Sequence, residues 1–334
     1  MQSFLRMIVT CALLVTPLFT IAQSQLQAGK HVPMTPISQA EISASVGAIA
    51  TMIDEHYVYK EKGTAIAQHL LAQEKQRVFE HVRYWKEFDS LTNTILRSYS
   101  QDGHLYVRFS PEKVKALRER GTKPDNQHGA DDFFYGEEAR RNNYGFKEVT
   151  VLEGNTGYLQ LSQINISRAS LPVLRAAMKK LAGTRRLIID LRGNGGGGGD
   201  TTSILESCFL PAGIPLLEFH NRKGEITIDS SVAVEPGMKY EAPVYVLINK
   251  GSASAAEALA CVLQANHRAK IIGQPSAGAA NHNMFYVVND MLVISVSIEA
   301  PAIPGTKEAW EDHGVRPDIV TKEGEELRSA MQQL

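Results

Sequence analysis

Cysteine is scarce in this sequence, with three among 334 residues, so at most one disulfide can form. Excess charge of either sign is missing too. A net charge of -1 gives no electrostatic reason to expect nucleic acid or an acidic membrane surface as partner. Paired C-x-x-C or H-x-x-x-H spacings do not occur, so neither a zinc site nor any other metal or cofactor is expected. A repeat at a solenoid period is absent as well. The apolar run Met7–Ile21 falls short of the roughly 20 residues that a membrane span requires.

That run has a different meaning. Arg6 precedes it, and Thr20-Ile21-Ala22 places small residues at cleavage spacing before Gln23, the pattern of a secretory signal peptide over residues 1–22. An exported chain starting near Gln23 is expected, not membrane-spanning after cleavage. Cys11 lies inside the apolar run and does not resemble a lipid-attachment site. Cys208 and Cys261 remain, both in apolar helix-like segments, either paired or acting as small core residues.

From Ile37 to about Arg97 the pattern is helical. Ile42, Val46, Ile49 and Ile53 recur at spacings of four, three and four, and Ile66 with Leu70, then Phe88, Leu91 and Ile95, repeat the habit. A small bundle of three or so helices is expected there. At Gln101-Asp102-Gly103-His104 the period changes to two: Leu105, Val107 and Phe109 alternate with Tyr106 and Arg108. Ser110-Pro111 opens a short helix, and a long polar loop runs from Gly121 to about Tyr135.

After Glu148 the chain becomes mixed α/β. Strands are expected at Val149–Leu152, Gly157–Leu161, Leu187–Leu191, Leu216–Phe219, Val244–Ile248, Lys270–Ile272, Phe285–Val288 and Leu292–Ile298. Helices are expected at Leu171–Leu181, Thr201–Phe209 and Ala255–Leu263. Leu187–Leu191 and Val244–Ile248 are nearly continuous hydrophobic runs, as in central strands covered on both faces.

Two turns carry chemistry. Arg192-Gly-Asn-Gly-Gly-Gly-Gly-Gly-Asp200 joins a buried strand to a helix, yet it has neither the lysine of a phosphate loop nor the G-x-G-x-x-G of a dinucleotide site. Its backbone N–H groups suit the close approach of an oxyanion. In the second turn, Asn249-Lys-Gly-Ser-Ala-Ser-Ala-Ala-Glu257, a serine sits where a strand becomes a helix. Ser252 or Ser254 is either a helix cap or a nucleophile lifted beside free amides.

Four stretches then occur in order: Asp190–Gly196, Asn249–Glu257, Arg268–Asn281 and Trp310–Ile319. Together they resemble the serine peptidase family of C-terminal processing proteases and the tricorn core. The helical start with Asp102-Gly103-His104 is similar to the branch of interphotoreceptor retinoid-binding protein. The resemblance covers about Ile37 to Ile319. It implies a ClpP/crotonase-like β-β-α catalytic domain over 102–334, behind a helical bundle over 23–101. No PDZ domain is expected, because the expected elements leave no room for a PDZ-like insertion between Phe109 and the Leu187 strand. It makes Ser254 the nucleophile. The lysine partner of the processing proteases falls on Ala279 here, and Lys270 lies at the wrong spacing. The tricorn-like arrangement places the base at His104 and an orienting acid at Glu311, with oxyanion donors at Gly195 or Gly196 and Ala255. The serine that links histidine to glutamate in that arrangement is Gly103 here, which leaves the link to water or to a group such as Tyr106. His313 matches no catalytic position.

The function implied is an exported serine-type peptidase that cleaves peptides or proteins through an acyl-enzyme. A non-catalytic binder of a retinoid or fatty acid is the alternative, and an esterase on the same elbow a weaker one.

Overall fold

The computed structural model describes residues 34–120, 135–198, 202–306 and 308–333. The leader with Arg6, Cys11 and the cleavage point before Gln23, the loop from Gly121 to Phe134, and Asp200 and Thr201 at the expected helix start lie outside the described residues.

Helix α1 (Gln39–His56) begins where Ser38 and Glu41 exchange backbone and side-chain hydrogen bonds, a reciprocal cap. Ile42, Val46, Ile49 and Ile53 then form its buried stripe, as their spacing predicts. Helices α2 (Lys60–Lys75) and α3 (Trp85–Ser100) follow; Ile66, Leu70, Phe88 and Ile95 are buried and Leu91 packs at the margin. Gln101 closes α3 in the left-handed conformation, φ 58°, and turns the chain through Asp102 into strand β1 (Tyr106–Phe109). The boundary read at Asp102 is thus a sharp turn. The helices do not keep a core to themselves, because Leu105 and Val107 join it together with Leu292, Ile294 and Val296 of the later strand β12 (Leu292–Ala302). They are one layer on a sheet.

After α4 (Pro111–Arg120) and the short α5 (Glu137–Arg141), strands β2 (Phe146–Leu152) and β3 (Thr156–Leu161) form a hairpin. β4 (Ile164–Asn165), α6 (Leu171–Leu181), β5 (Arg186–Asp190), β6 (Gly197–Gly198) and α7 (Ser203–Ser207) come next. They are followed by β7 (Pro215–Asn221), β8 (Ile226–Ser230), β9 (Val244–Ile248), α8 (Ala255–Ala265), β10 (Ala269–Gly273) and β11 (His282–Val287). After β12 the chain ends with β13 (Ile319–Val320) and α9 (Glu326–Met331).

One sheet has the order β13-β10-β9-β5-β3-β2, parallel except for the β2–β3 hairpin. Leu187, Ile189, Val246 and Ile248 face α6, α7 and α8, whereas Ile188, Leu247 and Ile272 face α9. Covering on both faces explains the unbroken hydrophobic runs of β5 and β9. The second sheet is antiparallel, order β1-β12-β7-β8, with β11 along the other side of β12.

The sequence did not indicate β8: all five of its residues are exposed, so no apolar alternation marks it, and only pairing with β7 makes it a strand. β12 runs on past Ile298 to Ala302, and α7 is shorter than the helix expected up to Phe209. Cys208 and Cys261 are free thiols, each pushed up to about 12 by burial. No helix among the described residues is long and apolar enough to cross a membrane.

Candidate active site

The two serines of the second turn have different roles. Ser252 is fully buried; its hydroxyl donates to the Leu191 carbonyl at 2.7 Å and accepts from the Asn249 amide at 3.0 Å. Asn249 Oδ1 in turn accepts from Gly193 at 2.9 Å and Gly251 at 3.0 Å, so the glycine turn and the serine turn are stitched together. Ser254 is half-buried and opens α8 with φ 53° and ψ -122°. A non-glycine residue held there costs about 1–3 kcal/mol, which surrounding bonds must overcome.

Glu257 supplies much of that hold. It is fully buried and accepts four hydrogen bonds: Ser254 N–H at 2.8 Å, Ser276 Oγ at 2.6 Å, Gly278 N–H at 2.7 Å and Ala279 N–H at 2.9 Å. Ala253 N–H donates to Asn194 O at 2.9 Å from the glycine turn. Gly196 packs against this corner. A Cβ there would stand 2.7 Å from Ser254 Cβ and 3.0 Å from the Ala255 nitrogen, and its φ is +96°. Glycine is required on both counts.

Ala255 is the first residue of α8, so its N–H has no acceptor within the helix. The Gly196 N–H, by contrast, donates to Asn194 Oδ1 at 2.9 Å. Of the two glycine amides read as oxyanion donors, Gly196 is therefore engaged within the turn, and Gly195 remains. Behind the turn, Asp190 is fully buried and accepts from Tyr158 and Arg192, whose other guanidinium nitrogen donates to Glu326 at 2.9 Å.

The histidine side is built on Asp102, also fully buried. Its Oδ1 accepts from the His104 N–H at 2.7 Å; its Oδ2 accepts from Tyr57 Oη at 2.9 Å, Ser297 Oγ at 2.7 Å and Asn281 Nδ2 at 3.4 Å. The His104 carbonyl accepts from Ser295 Oγ at 2.6 Å. His104 Nδ1 is buried without a hydrogen-bond partner. Glu311 Oε2 accepts from Ala280 N–H at 2.5 Å and Asn281 N–H at 3.0 Å, while its Oε1 is buried and unpartnered.

The segment 276–281 ties the two sides together. Ala279, where a lysine would stand in the processing proteases, shares Glu257 Oε2 with Ser254 and lies against Gly103, where an added Cβ would meet Ala279 Cβ at 3.8 Å. The next two residues hold Glu311. Among the described residues no direct hydrogen bond joins His104 to Ser254 or to Glu311.

Three other groups are placed elsewhere. Tyr106 packs edge-on to Phe285 with Arg108 over its ring. His313 is exposed, its ring nitrogen 2.7 Å from the Glu311 carbonyl. Lys270 lines a separate cavity of about 550 Å³ with Val244, at the start of β9, whereas Ser254 follows its end.

Electrostatics distinguishes the titrating groups. Burial holds the His104 imidazole below the usual histidine range, with the Asp102 charge opposing and His282 adding to the depression. Burial, then the nearby Asp102 charge, pushes the Glu311 carboxyl up to about 7 against the two amides that donate to it. Asp102, Glu257, Asn281 and Tyr57 were not assigned roles from sequence. Asp102 stood in the Asp-Gly-His run and Glu257 in a Ser-x-x-Glu capping pattern. Tyr57 and Ser297 had no such signal.

A serine raised in a left-handed turn between a parallel strand and a helix, beside a glycine turn, is the architecture of serine hydrolases. The chain belongs to peptidase family S41: that family's profile matches residues 155–321, and the profile of the N-terminal domain of Peptidase S41 in eukaryotic IRBP matches 36–143. The chloroplastic carboxyl-terminal-processing peptidase 2 of Arabidopsis thaliana is 29% identical over 177 residues, 48% of this chain and 31% of that protein. The chain thus spans about a third of the length of that relative. A lipoprotein from Streptococcus agalactiae has the same fold at a TM-score of 0.57 and 17% identity, covering 90% of this chain and 97% of the other. The tricorn protease matches at 0.55 and 11% identity, over 85% of this chain and 34% of its own.

Proposed function

We propose that this chain is an exported serine-type peptidase, processed near Gln23, that cleaves a peptide or protein substrate through an acyl-enzyme. Residues 23–101 are the N-terminal unit, whose helices α1 to α3 form a layer, and 102–334 the catalytic unit. Ser254 is the nucleophile, His104 the base, and Glu311 the acid that orients it. Ala255 and Gly195 amides receive the oxyanion. The observation that carries this reading is the backbone of Ser254, a strained conformation at a helix start, enforced by Glu257 and by Gly196.

Substrate carbonyl attack by Ser254 Oγ passes its proton to the neutral imidazole, which burial favours. The imidazolium then donates that proton to the leaving amine, and water completes hydrolysis by the same route. A water molecule between His104 Nδ1 and Glu311 Oε1 would complete the relay on the side of Gly103.

A fluorophosphonate probe is expected to label the mature chain at Ser254 and to leave Ser254→Ala unlabelled. A folded chain that resists labelling would count for the second reading, a non-catalytic binder of a retinoid or fatty acid. That reading draws on the lack of a direct His104–Glu311 bond, and saturable retinoid binding unchanged in Ser254→Ala would support it.

A further inference from the structure

We infer that Asp102 is the positioning residue that holds and polarises His104, and that Tyr57, from the end of α1, locks Asp102 in place. This assignment rests on the peptidase reading above and adds to it a residue from the helical layer.

A fully buried carboxylate is expensive unless donors surround it. Asp102 has four, and they come from separate parts of the chain: Tyr57 after α1, Ser297 on β12, Asn281 before β11, and His104 itself. The turn at residues 102–104 does not by itself call for such an investment. An asparagine or serine could accept the His104 N–H equally well. What a carboxylate adds is charge, and that charge is felt by every titrating neighbour: it raises His104, Glu311, Tyr57 and Tyr59.

The backbone of His104 is clamped at both ends, N–H on Asp102 and carbonyl on Ser295 Oγ. The backbone from which its ring leaves the turn is therefore fixed at both ends. The Tyr57 ring is fully buried among the helices, and burial together with the Asp102 charge keeps its hydroxyl protonated, hence a donor. Two charged groups act on the His104 imidazole: Asp102, and His282 on β11, which is paired to Glu299 of β12. Glu311 and its neighbour Asp312 lie within reach of the Asp102 charge instead, and Glu257 on α8 is engaged by Ser254, Ser276, Gly278 and Ala279. Asp102 opposes the depression of the imidazole by burial and His282 adds to it.

The test is titration of the His104 ring by NMR in the mature chain, assigned with His104→Gln, in wild type and Asp102→Asn. The His104 midpoint is expected to move down by about half a pH unit or more in Asp102→Asn. An unchanged midpoint overturns the proposal. Fluorophosphonate labelling of Ser254 should follow, with its acid limb displaced to lower pH and its maximum reduced about tenfold or more. Tyr57→Phe keeps the ring and loses only the donor, and labelling should fall about threefold or more; a full rate removes Tyr57 from the assignment. Should Asp102→Asn not fold, Tyr57→Phe and Ser297→Ala stand in, and wild-type rates in both overturn the proposal. A wild-type chain that is never labelled defeats the peptidase reading alone, since the ring titration still decides the role of Asp102.

Discussion

Around Ser254 the polar groups are paired closely. Glu257 accepts four hydrogen bonds, Ser252 bridges two segments, and Asn249 joins two turns. Around His104 the same kind of burial leaves three atoms without partners: His104 Nδ1, Asn281 Oδ1 and Glu311 Oε1. One half of the site is a rigid mount and the other keeps spare hydrogen-bonding capacity. The mount has to hold a strained backbone in one conformation at all times. The half with spare capacity surrounds the group assigned to gain and lose a proton, and the open His104 Nδ1 is where an orienting partner would attach while the other ring nitrogen exchanges the proton.

That contrast can be broken from either side. The largest effect is expected from Gly196→Ala, whose Cβ would collide with Ser254 Cβ at a φ of +96°. Labelling at Ser254 should fall by about a hundredfold or more, the scale of a displaced oxyanion site. Next comes Arg192→Ala, which leaves Asp190 and Glu326 without their shared cation. A loss of about 3–5 kcal/mol in denaturant unfolding is expected, since Asp190 is fully buried. Glu257→Gln exchanges one of two acceptor oxygens for an NH2 donor in a cage of four donors, and should cost about 2 kcal/mol in stability while slowing labelling.

The looser half is expected to respond in the opposite direction. Gly103→Ser has room, with only Ala279 Cβ at 3.8 Å, and it puts a hydroxyl at the position where the tricorn-like arrangement has its linking serine, next in sequence to the unpartnered His104 Nδ1. Labelling should rise about tenfold if the new hydroxyl joins them. A fall would show that the spare capacity serves something other than proton transfer.

The smallest effect concerns pH. Glu311 is raised to about 7 from an ordinary 4.5, so the folded chain keeps a proton that the unfolded chain releases first. Its contribution to stability is full below 4.5 and is lost as pH rises through 7. Glu311→Gln should remove that slope in a stability-against-pH series. Wild-type labelling should climb through pH 7 as Glu311 ionises, and the climb should be absent in the variant.

Much of the scaffold could be read directly from the chain. The stripe of α1, the alternation at β1, and the two unbroken runs of β5 and β9 each reflect a local period or its absence, and each was found where expected. β8 was illegible for the same reason in reverse, because an exposed edge strand has no apolar pattern to display. The glycine turn and the serine turn were also legible, since close backbone approach and a helix start restrict residue type. Which glycine amide is free was not, because the claim of Asn194 on Gly196 depends on a side-chain rotamer.

Sequence by itself determined the class of fold, the two turns and the choice of residue types that can do acyl transfer, because each depends on neighbours a few residues apart. Tertiary structure decided which serine has structural work, by burying the Ser252 hydroxyl against Leu191. It also decided what surrounds His104. Tyr57, Asn281 and Ser297 reach Asp102 from three distant parts of the chain, and hydrogen bonds between groups so far apart in sequence exist only once helices and sheet have packed together.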